Sequence, residues 1–406
     1  MAPARHRLLI LSASMGAGHD AVAVELARRL TAAGHEAEVV DVLELLPLRL
    51  GHALRRWYGW MMRRAPWVYA LIYRAFFVSP RPAWAASPLT VLLAARLDRL
   101  VRRQPPDLVV STFHLAAQAA GHLRRTGRLT VPATVLLTDF AAHRLWLHPG
   151  ADRYLCPCPE TAHDVTAATG RPADCHAPLT RPAFRSPPAG SAAVHARIGL
   201  GRVRWIFVRL RTRSTGHALG PDDRTVLVSA GSWGVGEVEK AARVLARSGR
   251  YVPVVLCGRN QALRDRLSRI EGLVALGWRD DLPELMGAAY ALVDNAAGLT
   301  CREAFAARLP VVSYRPIPGH GRDGVLAMAR AGLSVHADDA ARLVAELDRL
   351  GDAAERSRLV ARASALFDAP AAEDLLFGPD GPDPDHTPPE SPVRGPDGVR
   401  SPGRPV

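Results

Sequence analysis

Short apolar runs of four to eight residues alternate along this chain with longer stretches in which apolar side chains return every three or four positions. The first periodicity belongs to buried strands and the second to amphipathic helices, and their alternation predicts parallel α/β units. Residues 5–12 (RHRLLILS) read as a strand, 21–33 as a helix closed by Gly34, and 37–42 as the next strand. A helix over 87–103 leads to strands at 107–111 (DLVVS) and 130–137. A second series begins at 225–229 (TVLVS), with a Gly-rich turn and helix, then strands at 252–256 and 273–276. Between those two strands lies a helix over 263–270, and after them one capped by Asp281 with Glu284. The unit 290–332 follows: an apolar run, a small-residue turn, a helix opening at Gly298-Leu299-Thr300 and carrying Glu303, and a second apolar run. A Pro/Gly-rich loop ending in Arg322 and Asp323 closes that unit, and a final helix is expected within 340–367. Two such series in 406 residues predict domains at 1–185 and 225–367 with a linker at 186–224. From 368 a tail is expected, Pro/Asp/Gly-rich and nearly free of apolar residues after 378, which reads as disordered.

Apolar residues make up 48% of the chain, enough for packed cores in both domains. The net charge of +13, carried almost wholly by arginine, implies an anionic partner surface, nucleic acid or an acidic membrane. Five cysteines, an odd number, do not suggest a disulfide framework. Cys156-Pro-Cys158 with Cys175-His176 lacks the usual zinc spacing, so no metal is expected there. The basic N-terminus is followed by too short an apolar stretch for a signal peptide, and no apolar run of about 18 residues appears. A cytosolic protein is expected.

One segment breaks the pattern. Between 49 and 84, Trp57, Trp60, Trp67, Trp84, Tyr58, Tyr69 and Tyr73 interleave with Arg55, Arg56, Arg63, Arg64 and Arg74. Pro66 divides it into two short helices. Trp and Tyr favour the membrane–water interface and arginine reaches headgroup phosphates, so contact with an anionic membrane is one reading. A helix pair folded onto its own domain, with solvated arginines, is the other. A nucleic-acid platform would place its aromatics on strands, and these look helical. A second arginine-rich stretch, 200–215 within the linker, permits a surface contact or an insertion.

Three Gly-rich turns could hold phosphate. The turn at Gly298 opens a helix whose free N–H groups and dipole suit a diphosphate, and Glu303, about one turn in, could accept from a ribose diol. Thr300 and Glu303 also fit a capping box with no ligand. Gly16-Ala17-Gly18-His19-Asp20-Ala21 fits G-x-G-x-x-A, and Asp41 lies about 20 residues on, so a nicotinamide-dependent oxidoreductase is a rival. Gly231, Gly234 and Gly236 form a third flexible turn, which lacks the Lys-Ser/Thr of a P-loop.

The run AGLTCREAFAARLPVVSYRPIPGHGRDG resembles the donor-binding segment of a two-domain glycosyltransferase family that includes monogalactosyldiacylglycerol synthases, processive diacylglycerol glucosyltransferases and MurG. Gly298, Thr300, Glu303 and Ala304 match that family's G-G-x-T-x-x-E-A. Pro318 and Gly319 match its P-G-Q-E loop, while His320 and Gly321 stand where Gln and Glu are usual. Residues 14–21 resemble its strand-following G-x-G-H loop, and TDFAAHRLWLHPGADRY resembles its T-D-x-x-x-H-x-x-W segment.

The resemblance implies a GT-B fold, in which two doubly wound Rossmann-like α/β domains face a cleft, and a hexosyltransferase acting on a lipid hydroxyl, most naturally diacylglycerol. It implies His19 as catalytic base with Asp139 as second choice. Donor contacts would come from Gly231, Ser232, Gly234, Arg259, Trp278, Arg279, Gly298, Leu299, Thr300, Glu303, His320, Arg322 and Asp323. Gly16, Gly18 and His143 would serve the acceptor, and Arg55, Arg56, Trp57, Trp60, Arg63, Arg64 and Trp67 the membrane. With nothing that resembles a D-x-D metal site, an inverting transfer from a UDP-sugar without metal or other cofactor is expected. Its partners would be a UDP-hexose, the lipid and an anionic leaflet on the inner face of the cell membrane, with no nucleic acid. A soluble acceptor, or a protein that binds UDP-sugar or membrane without catalysis, remains an alternative.

Overall fold

The computed structural model describes residues 5–78, 87–185 and 224–377. The linker with its arginine-rich stretch, Trp84 and the tail from 378 lie outside the described residues. Among the described residues twelve strands form two six-stranded sheets, every recorded pair parallel. The first holds β1 (Arg7–Ser12), β2 (Glu36–Asp41), β3 (Leu108–Ser111), β4 (Ala133–Leu136), β5 (Arg153–Cys156) and β6 (Ala173–Cys175), in the order β2-β1-β3-β4-β5-β6. The second holds β7 (Arg224–Ser229), β8 (Tyr251–Leu256), β9 (Val274–Leu276), β10 (Ala291–Asp294), β11 (Val311–Tyr314) and β12 (Val335–Ala337), in the order β12-β11-β10-β7-β8-β9. Strands buried on both faces must be apolar throughout, which is why Leu8, Ile10 and Leu11 and then Val226, Leu227 and Val228 are all nearly inaccessible.

Helices cover both faces of each sheet. In the first half they are α1 (Ala17–Ala32), α2 (Leu50–Arg64), α3 (Pro66–Ile72), α4 (Pro88–Arg103), α5 (His114–Arg125) and α6 (Pro159–Thr169). The second half has α7 (Val238–Ser248), α8 (Gln261–Leu267), α9 (Leu282–Ala288), α10 (Leu299–Ala306), α11 (His320–Arg330), α12 (Ala340–Arg349) and α13 (Ala353–Ser364). Among the described residues no helix is long and apolar enough to cross a membrane.

Several boundaries differ from the periodicity. Helix α1 starts at Ala17 rather than 21, because Gly16 at φ 130° turns the chain straight off the strand and draws Gly18 and His19 into the first turn. Helix α11 starts at His320, where a loop was expected to run on to Asp323. Asp281 precedes α9 without a side-chain cap bond; its carboxylate is taken by Arg279 at 2.7 Å. Helix α7 begins only at Val238, beyond the glycine turn that was expected to open it.

Residues 365–377, in part assigned to the tail, are also folded. A final helix α14 (Ala372–Phe377) returns to the first half, where Ala372 and Leu376 pack with Val22 and Leu26 of α1. Phe377 stacks on His35 at 4.2 Å, and Arg153 donates to the Leu375 carbonyl.

Candidate active site between the two sheets

The carboxyl ends of both sets of strands face each other, as parallel sheets place their ligand crevices. A cleft of about 380 Å³ lies there, polar in the sense that charged and hydroxyl side chains are set among its glycines, lined from one side by Gly16, Gly18 and His19 and from the other by Gly231, Ser232, Trp278, Gly298, Leu299, Thr300 and Glu303. The halves touch across it: Ala17 N–H donates to Ser232 Oγ at 3.1 Å. The N-cap of α10 is Gly298, with no side-chain cap bond, so Thr300 and Glu303 do not form the capping box. Glu303 instead faces the cleft, with no hydrogen-bond partner among the described residues. Burial pushes its carboxyl up to about 7, partly opposed by Arg181.

A second cavity, of about 590 Å³, lies in the first half and is mostly aromatic and aliphatic. Its walls include Leu54, Trp57, Tyr58 and Met61 of α2, Tyr69 and Ile72 of α3, and Phe113 and His114. Met15, His19, Asp139 and His320 line both spaces. The polar cleft and the apolar cavity therefore meet at a carboxylate and two imidazoles.

His19 sits at 3.1 Å from the Thr112 carbonyl and 2.8 Å from Thr138 Oγ1, both through Nδ1. A carbonyl can only accept, so this bond puts the proton on Nδ1 and leaves the Nε2 lone pair free. Burial lowers the basicity of His19, against the raising influence of Asp139. Asp139 accepts from Trp146 Nε1 at 2.9 Å and lies 3.6 Å from His143 Nε2. Burial alone would raise its carboxyl, but His143 and the charges His320 and His19 can carry hold it well below the usual range.

His320 comes from the second half and is fixed by the first: its Nδ1 lies 2.6 Å from Tyr69 Oη. Tyr73 donates to Asp323 at 2.7 Å. Gly319 between them has φ +83°, and a Cβ there would stand 2.8 Å from the Tyr73 ring and 2.9 Å from Tyr69. The P-G dipeptide of this loop thus lets α11 close onto α3.

The comparisons with known proteins bear on the fold and on the kind of enzyme. A family model described as monogalactosyldiacylglycerol (MGDG) synthase matches residues 19–173. A processive diacylglycerol beta-glucosyltransferase of Bacillus subtilis is 26% identical over 332 residues, 78% of this chain and 79% of the relative, and that of Bacillus pumilus is 25% identical over the same shares. Among solved structures, Acinetobacter baumannii MurG superposes with a TM-score of 0.53 at 14% identity, covering 91% of this chain and 96% of its own. A spinosyn rhamnosyltransferase with its aglycone reaches 0.57 at 15% identity, covering 91% and 98%; these two likenesses concern the fold. The chain is a GT-B glycosyltransferase.

Not every residue expected at this glycosyltransferase's site reaches it. Gly16 and Gly18 line the polar cleft rather than the acceptor side, because the α1 N-terminus points across at the second sheet. Gly234 lies behind the lining: at φ +62° its Cβ would collide with Asn260 and the Cys257 carbonyl, so its glycine serves backbone packing. Arg259 stacks over Trp278 at 4.4 Å instead of lining the cleft, whereas Trp278 and Arg279 do line it. Arg322 is exposed and lines neither space, since helix α11 turns it outward. Asp323 is held by Tyr73 away from both. His143 lines the apolar cavity. Of the aromatic-basic segment, Arg55, Arg56, Arg63 and Arg64 are exposed without a recorded ion pair, beside exposed Trp57, Trp60 and Trp67. Tyr58 and Tyr69 turn inward from the same helices, and Tyr73 does so just after α3.

Asp41, the anchor of the dinucleotide reading, accepts from Ser14 Oγ at 2.5 Å and Leu43 N–H at 2.9 Å, so both its oxygens are engaged. Two contributors carried no motif of their own. Arg181 lines the cleft opposite Glu303, and Arg302 is buried against the first half. Its place directly before Glu303 in a largely buried eight-residue helix was the available signal for the latter.

Proposed function

We propose that this glycosyltransferase moves a hexose from a UDP-sugar to the hydroxyl of a membrane lipid such as diacylglycerol, inverting the anomeric carbon. The observation that carries the reading is the shared wall: His19, Asp139 and His320 separate a polar cleft from an apolar cavity. The names of the Bacillus relatives support diacylglycerol as acceptor, and an Anabaena structure of the same fold, solved with UDP and glucose, supports UDP in such a cleft (TM-score 0.53, 11% identity).

In this reading the uridine ribose bonds to Glu303, and the diphosphate lies at the N-terminus of α10, where free N–H groups and the helix dipole meet negative charge. The acceptor's acyl part occupies the cavity beside Trp57 and Tyr58 and presents its hydroxyl at the wall. The hydroxyl proton passes to His19 Nε2 while the oxygen attacks the anomeric carbon, and the bonding pair of the C1–O bond leaves with UDP. Asp139, kept ionised, stabilises the imidazolium that forms. Oriented dipoles with Arg181 offset the charge building on the diphosphate, so the transfer is read as independent of a metal ion. Exposed Trp57, Trp60 and Trp67 with their four arginines would hold the enzyme on an anionic leaflet, peripheral to the inner face of the membrane.

The deciding experiment is UDP release from several UDP-hexoses on diacylglycerol vesicles, with and without a chelator. Turnover that depends on the lipid and survives chelation is expected. Binding of UDP without release from any donor would leave a non-catalytic protein, and turnover only on soluble acceptors would remove the lipid assignment.

A further inference from the structure

Three arginines line the polar cleft, and of these Arg302 alone is buried, at 2% exposure. It belongs to α10, the helix that presents Leu299, Thr300 and Glu303 to the cleft. Its guanidinium crosses to the first half, donates to the Thr138 carbonyl and lies over the Phe140 ring at 5.1 Å. Phe140 in turn meets Phe305 of the same helix edge-on at 6.3 Å. Thr138 is the residue whose hydroxyl stands 2.8 Å from His19 Nδ1. An unbroken path therefore runs from the donor-facing helix through Arg302 and Thr138 to the imidazole.

We infer that Arg302 is a positioning residue for the transfer, relaying the seating of α10 through Thr138 to His19 so that the base is aligned when the two halves are closed. This rests on the reading of His19 as base given above. Only a planar guanidinium on a long arm can both donate to the carbonyl and stack on Phe140; lysine reaches as a point charge and does neither together. Burying a cation is costly unless it is bonded, and Arg302 Nε has no partner among the described residues, so structure alone does not account for an arginine here. The same cation opposes protonation of His19. Asp139 and Asp20 favour it, and His114 and His320 also face the ring.

The test compares full-length wild type with Arg302→Gln, Arg302→Ala and Thr138→Val, read by kcat, donor KM, UDP affinity by calorimetry and the pH profile of kcat. Arg302→Gln is expected to lower kcat about a hundredfold with UDP affinity unchanged. The acid limb of its profile should move to higher pH, because His19 then protonates more readily. Added methylguanidine should restore part of the activity of Arg302→Ala. Thr138→Val keeps the carbonyl and loses the hydroxyl, and should show a smaller loss in kcat at unchanged UDP affinity. Should the Arg302 variants not fold, the Thr138→Val result decides: full activity there overturns the relay. An unaltered kcat in folded Arg302→Gln, or a fall in UDP affinity that matches the fall in kcat/KM, overturns it as well. If wild type transfers no sugar, the glycosyl-transfer reading has failed separately, and the His19 titration by NMR in wild type and Arg302→Gln still reports on the relay; an identical titration sinks it.

Discussion

The polar cleft and the apolar cavity are lined by different residues. The cleft sets glycine turns at Gly16, Gly231 and Gly298 and the first turns of α1 and α10 among charged side chains such as Arg181, Arg279 and Glu303. The cavity is walled by rings from α2, α3 and the start of α5, with aliphatic side chains between them. One suits an anion, which backbone N–H groups can solvate, and the other suits an alkyl chain, which only burial of apolar surface rewards. A transferase joining such unlike substrates needs both in contact, and His19 stands where they touch.

Changes to the base at the shared wall should stop the transfer itself, and changes on either side should weaken the hold on one partner. The largest effect is expected for His19→Ala: kcat should fall by about 10² to 10⁴ while UDP affinity holds, measured by UDP release and calorimetry. Loss of UDP affinity in step with kcat would place His19 in the cleft alone. Next comes the outer face. Reversing Arg55, Arg56, Arg63 and Arg64 to glutamate should remove roughly 1 kcal/mol of attraction per arginine for anionic vesicles, read by cosedimentation. UDP binding in solution should not change, and a parallel loss there would show that the two regions are not separable.

Glu303→Gln sharpens the cleft side. Losing a charged acceptor for the ribose should weaken UDP by about 1.5–3 kcal/mol with a smaller effect on kcat. Without ligand the sign reverses. Burial raises this carboxyl from 4.5 to about 7, so the folded state binds the extra proton between those values and loses stability as pH rises through them. The glutamine variant should therefore unfold at higher temperature than wild type at pH 8, by about 3 kcal/mol of stability, and equally at pH 4. Equal melting at both pH values would mean that the carboxyl is solvated. The smallest effect is expected for Gly319→Ala. Alanine at φ 83°, ψ −130° lies outside the left-handed helical well and costs about 1–3 kcal/mol, and the displaced Tyr69 and Tyr73 rings should loosen the wall, seen as a raised KM for the lipid with little change in UDP affinity.

The asymmetry between the two regions also explains what could be read from the sequence. Glycine turns and helix starts are local, so Gly298, Thr300, Glu303, Gly231 and His19 could be found in the chain, and strand periodicity disclosed both sheets. The cavity is assembled from remote pieces, and no local pattern says that Tyr69 will meet His320 across 251 positions. The aromatic-basic segment read as one surface, but the helical repeat divides it: Trp57, Trp60 and Trp67 face out while Tyr58, Tyr69 and Tyr73 face in. Arg322 and Asp323 were misplaced for a related reason. A helix that starts at His320 turns its next residues through about 100° each, away from the wall.

The last helix carries a consequence of its own. The polypeptide leaves the first half after Arg185, builds the second sheet, and comes home at α14, where Arg29 meets Glu373 at 3.8 Å. Its docking ties the end of the second half to the first through Phe377 on His35 and Leu376 against α1, so any displacement of one half against the other must bend the chain ahead of α14 or strip those contacts.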